Sequence, residues 1–264
     1  MKKIVFLACL ISAVVWQINA QVGGLSASKL ATLNTDYVPS RKIEFEPSCY
    51  FLRSANSWNE NGGKTNKFQN SDSTEYFSSA GLRFTYGLLK HGEVGGFVPM
   101  DMSAVSLGAK INLLEKDDYG IAVVAGINLN KTSGLFPRNS ANPDEANLYA
   151  GGLVGTYNFS EKFSLDADLQ LQRSFDKKLS NYNDLFADAD IGYFVVEGLQ
   201  LVLGMNYNYS RVDDQTSQAL IINPGFTNEW AKTFIAVLSF PVTVYGKNTD
   251  SFAGVTFALT ILLE

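Results

Sequence analysis

Apolar and polar residues alternate along several parts of the chain. From Phe163 to Gln172 every second residue is apolar and the residues between them are polar or small. The same period of two recurs from Val105 to Leu113 and from Leu199 to Tyr207. Because successive side chains of a β-strand point to opposite faces, this pattern predicts strands with one apolar face and one polar face.

Continued along the chain, the alternation predicts twelve strands. Their ranges are 41–52, 74–87, 92–98, 104–114, 119–130, 146–159, 162–174, 184–194, 198–210, 216–224, 229–243 and 251–263. Longer and shorter connections alternate between them, which is typical of outer-membrane barrels with long extracellular loops and short periplasmic turns. We therefore predict an all-β fold, a single antiparallel transmembrane β-barrel over residues 41–264. Ten strands are the alternative if the third and tenth segments do not form.

The first twenty residues have the three parts of a secretory signal peptide. Lys2 and Lys3 precede an apolar stretch from Ile4 to Trp16, and the small residue Ala20 precedes Gln21. The apolar stretch is shorter than the ~20 residues that a membrane helix needs. We expect cleavage after residue 20 and export to the outer membrane of a Gram-negative bacterium. Residues 21–40 then form either an N-terminal periplasmic segment or a partial plug of the barrel.

The composition narrows the possible chemistry. A net charge of -5 and a pI near 5.0 argue against nucleic acid as a partner. Cys49 is the only cysteine after residue 20, and His91 is the only histidine. General-base catalysis most often uses histidine, and His91 falls in a short turn away from any serine or acid pair. We therefore expect no enzyme, no metal site and no cofactor.

Lipid on the apolar face would leave the alternate residues facing the lumen. These are Lys42, Glu44, Glu46, Arg83, Lys110, Asp166, Asp168, Asp188 and Asp190. Pairing Ser174 with Asp184 would place Asp168 directly opposite Asp190. The acids form either a wall that favours cationic or hydrogen-bonding solutes, or a structural network with Arg83 and Lys110 that stiffens the barrel.

Several short motifs resemble one family. They are Tyr86-Gly87-Leu88, Glu93-Val94-Gly95, Val98-Pro99 and Val105-Ser106-Leu107-Gly108-Ala109-Lys110. This order is similar to the signature of the outer-membrane β-barrel family named for the meta-pathway of phenol degradation. The resemblance implies a transporter-like barrel, inserted by the barrel assembly machinery and related in role to channels for fatty acids and aromatic hydrocarbons. Glu264 stands where such barrels usually end on Phe, and Met100–Ser103 replaces a longer loop.

Two functions follow as hypotheses. The first is a channel for passive uptake of small molecules, surrounded by outer-membrane lipid; by family resemblance, the unidentified solute is aromatic or otherwise apolar. The second is a closed structural or adhesion barrel that acts through the extracellular loops 53–73 and 131–145. Those loops are rich in Asn, Ser and Lys, which is typical of exposed loops.

Overall fold

A computed structural model describes residues 22–26, 29–30, 32–68, 73–130, 147–174, 182–230 and 233–263. The predicted signal peptide 1–20 and the predicted loop 131–145 lie outside the described residues. The described strands are β1 (Ile43–Trp58), β2 (Lys64–Asn66), β3 (Glu75–Leu89), β4 (Gly92–Pro99), β5 (Ala104–Glu115), β6 (Tyr119–Asn130), β7 (Leu148–Ser160), β8 (Phe163–Ser174), β9 (Asn183–Val196), β10 (Leu199–Val212), β11 (Gln215–Trp230), β12 (Phe234–Ser239), β13 (Val242–Lys247) and β14 (Thr249–Leu263).

These strands form one closed antiparallel barrel. Neighbours in sequence pair along the sheet, and β1 pairs with β14 from Ile43↔Leu263 to Trp58↔Thr249, which closes it. β12 and β13 occupy one barrel position between β11 and β14, and β2 pairs only with the end of β1. The barrel therefore has twelve strand positions, and the predicted all-β barrel is confirmed.

Two predicted strands end too early. β1 continues to Trp58, and β2 folds back on it, so much of the predicted loop 53–73 belongs to the sheet. β11 runs through Pro224 to Trp230, whereas the sequence prediction stopped at 224. A proline has no N–H with which to donate a hydrogen bond to a neighbouring strand. Pro224 lies beside the break at Phe240–Pro241, where the Phe240 amide donates a hydrogen bond to the Pro224 carbonyl.

The two ends of the barrel differ in their connections. We call the end with the β3–β4, β5–β6, β7–β8, β9–β10 and β11–β12 connections the turn end, and the opposite end the loop end. The predicted strict alternation of loop lengths is wrong at the loop end, because tight turns join β10 to β11 and β13 to β14. Asp213 and Asn248 adopt positive φ angles of 52° and 46° there, which Asp and Asn tolerate better than most residues.

The barrel is apolar outside and polar inside. Outward-facing Leu107, Leu153 and Leu171 are 44, 56 and 64% exposed, whereas inward-facing Lys110 and Gln170 are completely buried. This is the reverse of a water-soluble protein and is the arrangement of a barrel surrounded by lipid. No helix in the described ranges is long and apolar enough to cross a membrane.

Candidate functional site

The described residues of 22–40, here called the N-terminal segment, fold into the lumen from the turn end. Val22, Leu25 and Leu33 are at most 4% exposed. They pack in one cluster with inward-facing apolar residues of β6 and β7, namely Ala122, Val124, Ala150 and Val154. Removal of these side chains from water favours the docked position of the segment.

Inward-facing glycines make room for this segment. A Cβ atom added at Gly108 would lie 2.5 Å from the Gly23 carbonyl oxygen and 2.6 Å from Cγ1 of Val22. A Cβ atom at Gly95 would lie 1.8 Å from the Gly24 carbonyl oxygen. The inner wall is therefore shaped to accept the backbone of the segment closely.

Glu93 on β4 binds both ends of the segment. Its Oε1 accepts hydrogen bonds from the Ser26 amide at 2.9 Å and the Ser26 hydroxyl at 2.7 Å, and its Oε2 accepts one from the Val38 amide at 2.8 Å. Lys110 Nζ lies 3.1 Å from Glu93 Oε1 and donates to the carbonyls of Ser26 and Asn34, each at 3.1 Å. A buried ion pair whose remaining hydrogen bonds go to the segment thus fixes it to this wall.

Arg83 on β3 extends the same wall. Its Nη1 donates to the Leu25 carbonyl at 2.7 Å, and its Nη2 lies 2.5 Å from Glu44 Oε1 and 2.8 Å from Glu46 Oε2. Thr260 on β14 also donates to Glu46. The two predicted lumen acids of β1 therefore both pair with an arginine that also binds the segment.

The opposite wall, β8 and β9, presents carboxylates to the segment. Lys29 Nζ lies 2.5 Å from Asp166 Oδ2. The Leu33 amide donates to Asp168 at 2.8 Å, and the Leu30 amide donates to Asp190 at 3.1 Å. Because four strands lie between β3 and β8 in a barrel of twelve positions, the segment spans the lumen between nearly opposite walls.

The predicted register of this wall is wrong by two residues. Asp166 lies opposite Asp190, and Asp168 lies opposite Asp188, instead of Asp168 opposite Asp190. A shift of two keeps every side chain on the same face, so the alternation could not detect it. Asp188 accepts a hydrogen bond from Asn206 on β10 at 2.8 Å.

The basic partners also differ from the predicted network. Lys29, a residue of the segment, pairs with Asp166, whereas Arg83 and Lys110 bind Glu44, Glu46 and Glu93. Lys42 precedes β1. Sequence reasoning missed Lys29 and Glu93. Glu93 could have been found, because it shares the inward phase of Gly95 and Phe97, but Lys29 lies in a segment without periodicity.

His91 lies at the turn end beside the start of the barrel. Its Nδ1 is 3.0 Å from Glu115 Oε2 and 3.3 Å from the Tyr37 hydroxyl, and its side chain is 46% exposed. Tyr37 belongs to the N-terminal segment. This contact places His91 against the entry of the segment, not beside the aspartates of β8 and β9.

Cavities lie at both ends of the barrel. One, which we call the vestibule, is at the loop end and has a volume of about 820 Å³. Its described lining includes apolar Leu52, Phe186, Ile221 and Phe252 and the acid Asp184. Cavities of about 600 and 360 Å³ at the turn end are lined in part by the segment, whereas no described residue of the segment lines the vestibule.

Solved structures share this fold. The crystal structure of an outer membrane channel from Pseudomonas putida F1 aligns with a TM-score of 0.68 and 12% identity, covering 87% of this chain and 98% of that chain. The KdgM porin aligns with a TM-score of 0.51 and 10% identity, covering 81% and 98%. No curated protein sequence matches the chain. The fold is thus that of porin-like outer-membrane channels.

A family model matches the sequence directly. It covers residues 65–261, which include the motifs from Tyr86 to Lys110 and all strands from β3 to β13. The resemblance inferred from those motifs is confirmed. The chain belongs to the family described as "Putative MetA-pathway of phenol degradation".

Proposed function

We propose that the protein is a passive channel for the uptake of small molecules across the outer membrane, and that the N-terminal segment is its plug. The observation that carries this proposal is the vestibule of about 820 Å³ inside a closed barrel, with the segment bound between opposite walls. A solute entering at the loop end reaches the vestibule first. The segment then limits its further passage.

The placement in the membrane follows from the surface. The outward-facing apolar side chains contact lipid, and the short connections of the turn end face the periplasm, as in outer-membrane barrels. The N-terminal segment enters the lumen from this side. Cleavage of the signal peptide after residue 20 would free the segment to fold inward.

The apolar lining of the vestibule supports an apolar or aromatic solute. Leu52 and Phe252 lie on one side of the vestibule, and Phe186 and Ile221 on β9 and β11 also line it. The family description, with its reference to phenol degradation, agrees with such a solute. Most of the other described lining residues are polar, so the apolar side chains would contact the apolar part of a solute and the polar groups would orient it.

Liposome swelling and planar-bilayer recordings test the proposal. Proteoliposomes with the full chain are expected to take up arabinose faster than protein-free liposomes, and purified protein is expected to give discrete conductance steps in KCl. A barrel that was heat-unfolded before reconstitution serves as the control. If neither the full chain nor a chain without residues 22–38 gave swelling or conductance, the channel proposal would be wrong.

The number of bonds between segment and wall favours a second candidate, a closed structural barrel. Glu93, Lys110, Arg83 and Asp168 all hold the segment, and such a network stiffens a barrel even if nothing passes through it. The two candidates differ in one measurement. A closed barrel would bind a surface partner through its loop end while excluding arabinose in every variant.

A further inference from the structure

We propose that the vestibule contains a binding subsite for organic ammonium cations that carry an apolar group, with Asp184 as the anionic partner and Phe186 as the apolar contact. This inference rests on the proposed channel function and names a solute class for it. The subsite lies at the loop end of β9, closer to that end of the barrel than the N-terminal segment.

Asp184 differs from the other buried acids that have been described. It is 4% exposed and lines the vestibule, its Oδ1 has no hydrogen-bond partner, and no described ion pair involves it. Among the described residues, the side chains of Ser210 and Tyr182 form hydrogen bonds with its carboxylate. A buried carboxylate without a counter-charge is costly, and a cationic solute supplies that charge.

Apolar side chains lie next to this acid. Phe186 is two residues along the same strand and faces inward, where it lies opposite Asn208 of β10. Leu52 and Phe252 line the far side of the same cavity. A solute with its charged group near Asp184 would therefore place an attached ring or alkyl group against Phe186.

Most of the charged residues described in the lining of the vestibule are acidic. Glu60, Asp184 and Asp214 line it as acids, and Lys247 is the only basic residue among the described lining residues. Lys67, which lies nearby at the loop end, is neutralised by Glu75 and Asp250, each 2.5 Å from its Nζ. The field within the vestibule thus favours cations over anions.

Isothermal titration of the purified full chain with benzylammonium, benzyl alcohol and benzoate tests the subsite. We expect benzylammonium to bind most tightly and Asp184→Asn to weaken its binding by about tenfold or more, the effect of losing a charged partner. Benzyl alcohol binding should change little. Asp101→Asn, which removes the same charge from the loop end outside the vestibule, should leave all three affinities unchanged.

A second variant tests the apolar half of the subsite. Phe186→Ala should weaken benzylammonium binding but leave the weaker binding of methylammonium unchanged, because methylammonium has no ring to contact it. Heat-modifiable mobility in gel electrophoresis confirms that each variant barrel is folded.

Three results would overturn the subsite: equal affinity for benzylammonium and benzyl alcohol, no loss in Asp184→Asn, or the same loss in Asp101→Asn. The channel proposal is judged separately by conductance in KCl on the same samples. Conductance without benzylammonium binding would reject the subsite alone. Binding without conductance, in both the full chain and the chain without residues 22–38, would reject the channel alone.

Discussion

The two parts of the lumen treat their inward-facing acids differently. Around the N-terminal segment, Glu93 pairs with Lys110 and Asp166 pairs with Lys29. Asp168 accepts a hydrogen bond from a backbone amide of the segment. In the vestibule, no cation or backbone amide in the described part of the chain binds Asp184. The first set of acids is used to hold a piece of the protein's own chain, and the second is left for a molecule from outside. An acidic inner wall is therefore not by itself a path for cations.

The same contrast predicts different effects of mutation in the two regions. Loss of a segment contact exposes the segment and its apolar cluster, whereas changes in the vestibule affect what binds there. Variants in one region should consequently leave the assay of the other unchanged. Hydrogen–deuterium exchange of the segment amides measures the first region, and titration with benzylammonium measures the second.

Glu93→Ala should have the largest effect on the segment. It removes the acceptor of the Ser26 and Val38 hydrogen bonds and leaves Lys110 without its buried counter-charge. Breaking such a pair costs about 3–5 kcal/mol. Exchange of the segment amides should accelerate by about a hundredfold or more.

Glu115→Ala is the matched control for that change. Glu115 also contacts the segment, through Tyr37, but its side chain is 51% exposed. An exposed contact of this kind contributes about 1 kcal/mol or less. Equal acceleration in the two variants would show that the buried pair does not hold the segment.

Gly108→Val should have the next largest effect. Its new side chain would collide with Gly23 and Val22 of the segment, and none of the three nearest atoms belongs to the barrel wall. Overpacking of this kind costs about 1–3 kcal/mol, which faster amide exchange in residues 22–26 would report.

The outward-facing Gly155 provides the comparison, because the nearest atom to a Cβ there is 3.9 Å away. If Gly155→Val accelerated exchange as much as Gly108→Val, the close fit of the segment to the inner wall would be refuted.

Asp168→Asn should have the smallest effect of the three. The Asn side chain can still accept a hydrogen bond from the Leu33 amide, but it carries no negative charge. The docked segment should therefore lose about 1 kcal/mol of stability. Asp184→Asn is its counterpart in the vestibule and should not change exchange of the segment. A matching increase in the exchange rate of the segment amides in both variants would mean that the two regions are not independent.

The strands could be predicted because the period of two is strong in this chain. Phe163–Gln172 shows it without a fault, and the side chains of Asp166 and Asp168 face inward as that phase requires. The register could not be predicted, since a slip of two residues changes no side chain's face. The sequence prediction stopped a strand too early, at Pro224. A proline fits within β11 because the neighbouring strand is broken at Phe240–Pro241, and that break was not visible in the sequence.

The site was harder to predict than the fold. The apolar residues of 21–40 fitted either a periplasmic segment or a plug, and the choice depends on distant partners. Gly95 and Gly108 enter the sequence analysis only as members of the family motifs. Their inward phase, together with the excess of acids over bases on the wall, is the signal that a segment with backbone amides and a lysine would dock there.

Single-channel conductance of the full chain beside a chain that lacks residues 22–38 tests the central claim most directly. The segment is bound between nearly opposite walls, so its removal should widen the path through the barrel. We predict a several-fold higher conductance for the shortened chain in the same salt, with the barrel still folded. Equal conductance of the two folded chains would contradict the account, because the segment would then not limit passage through the lumen.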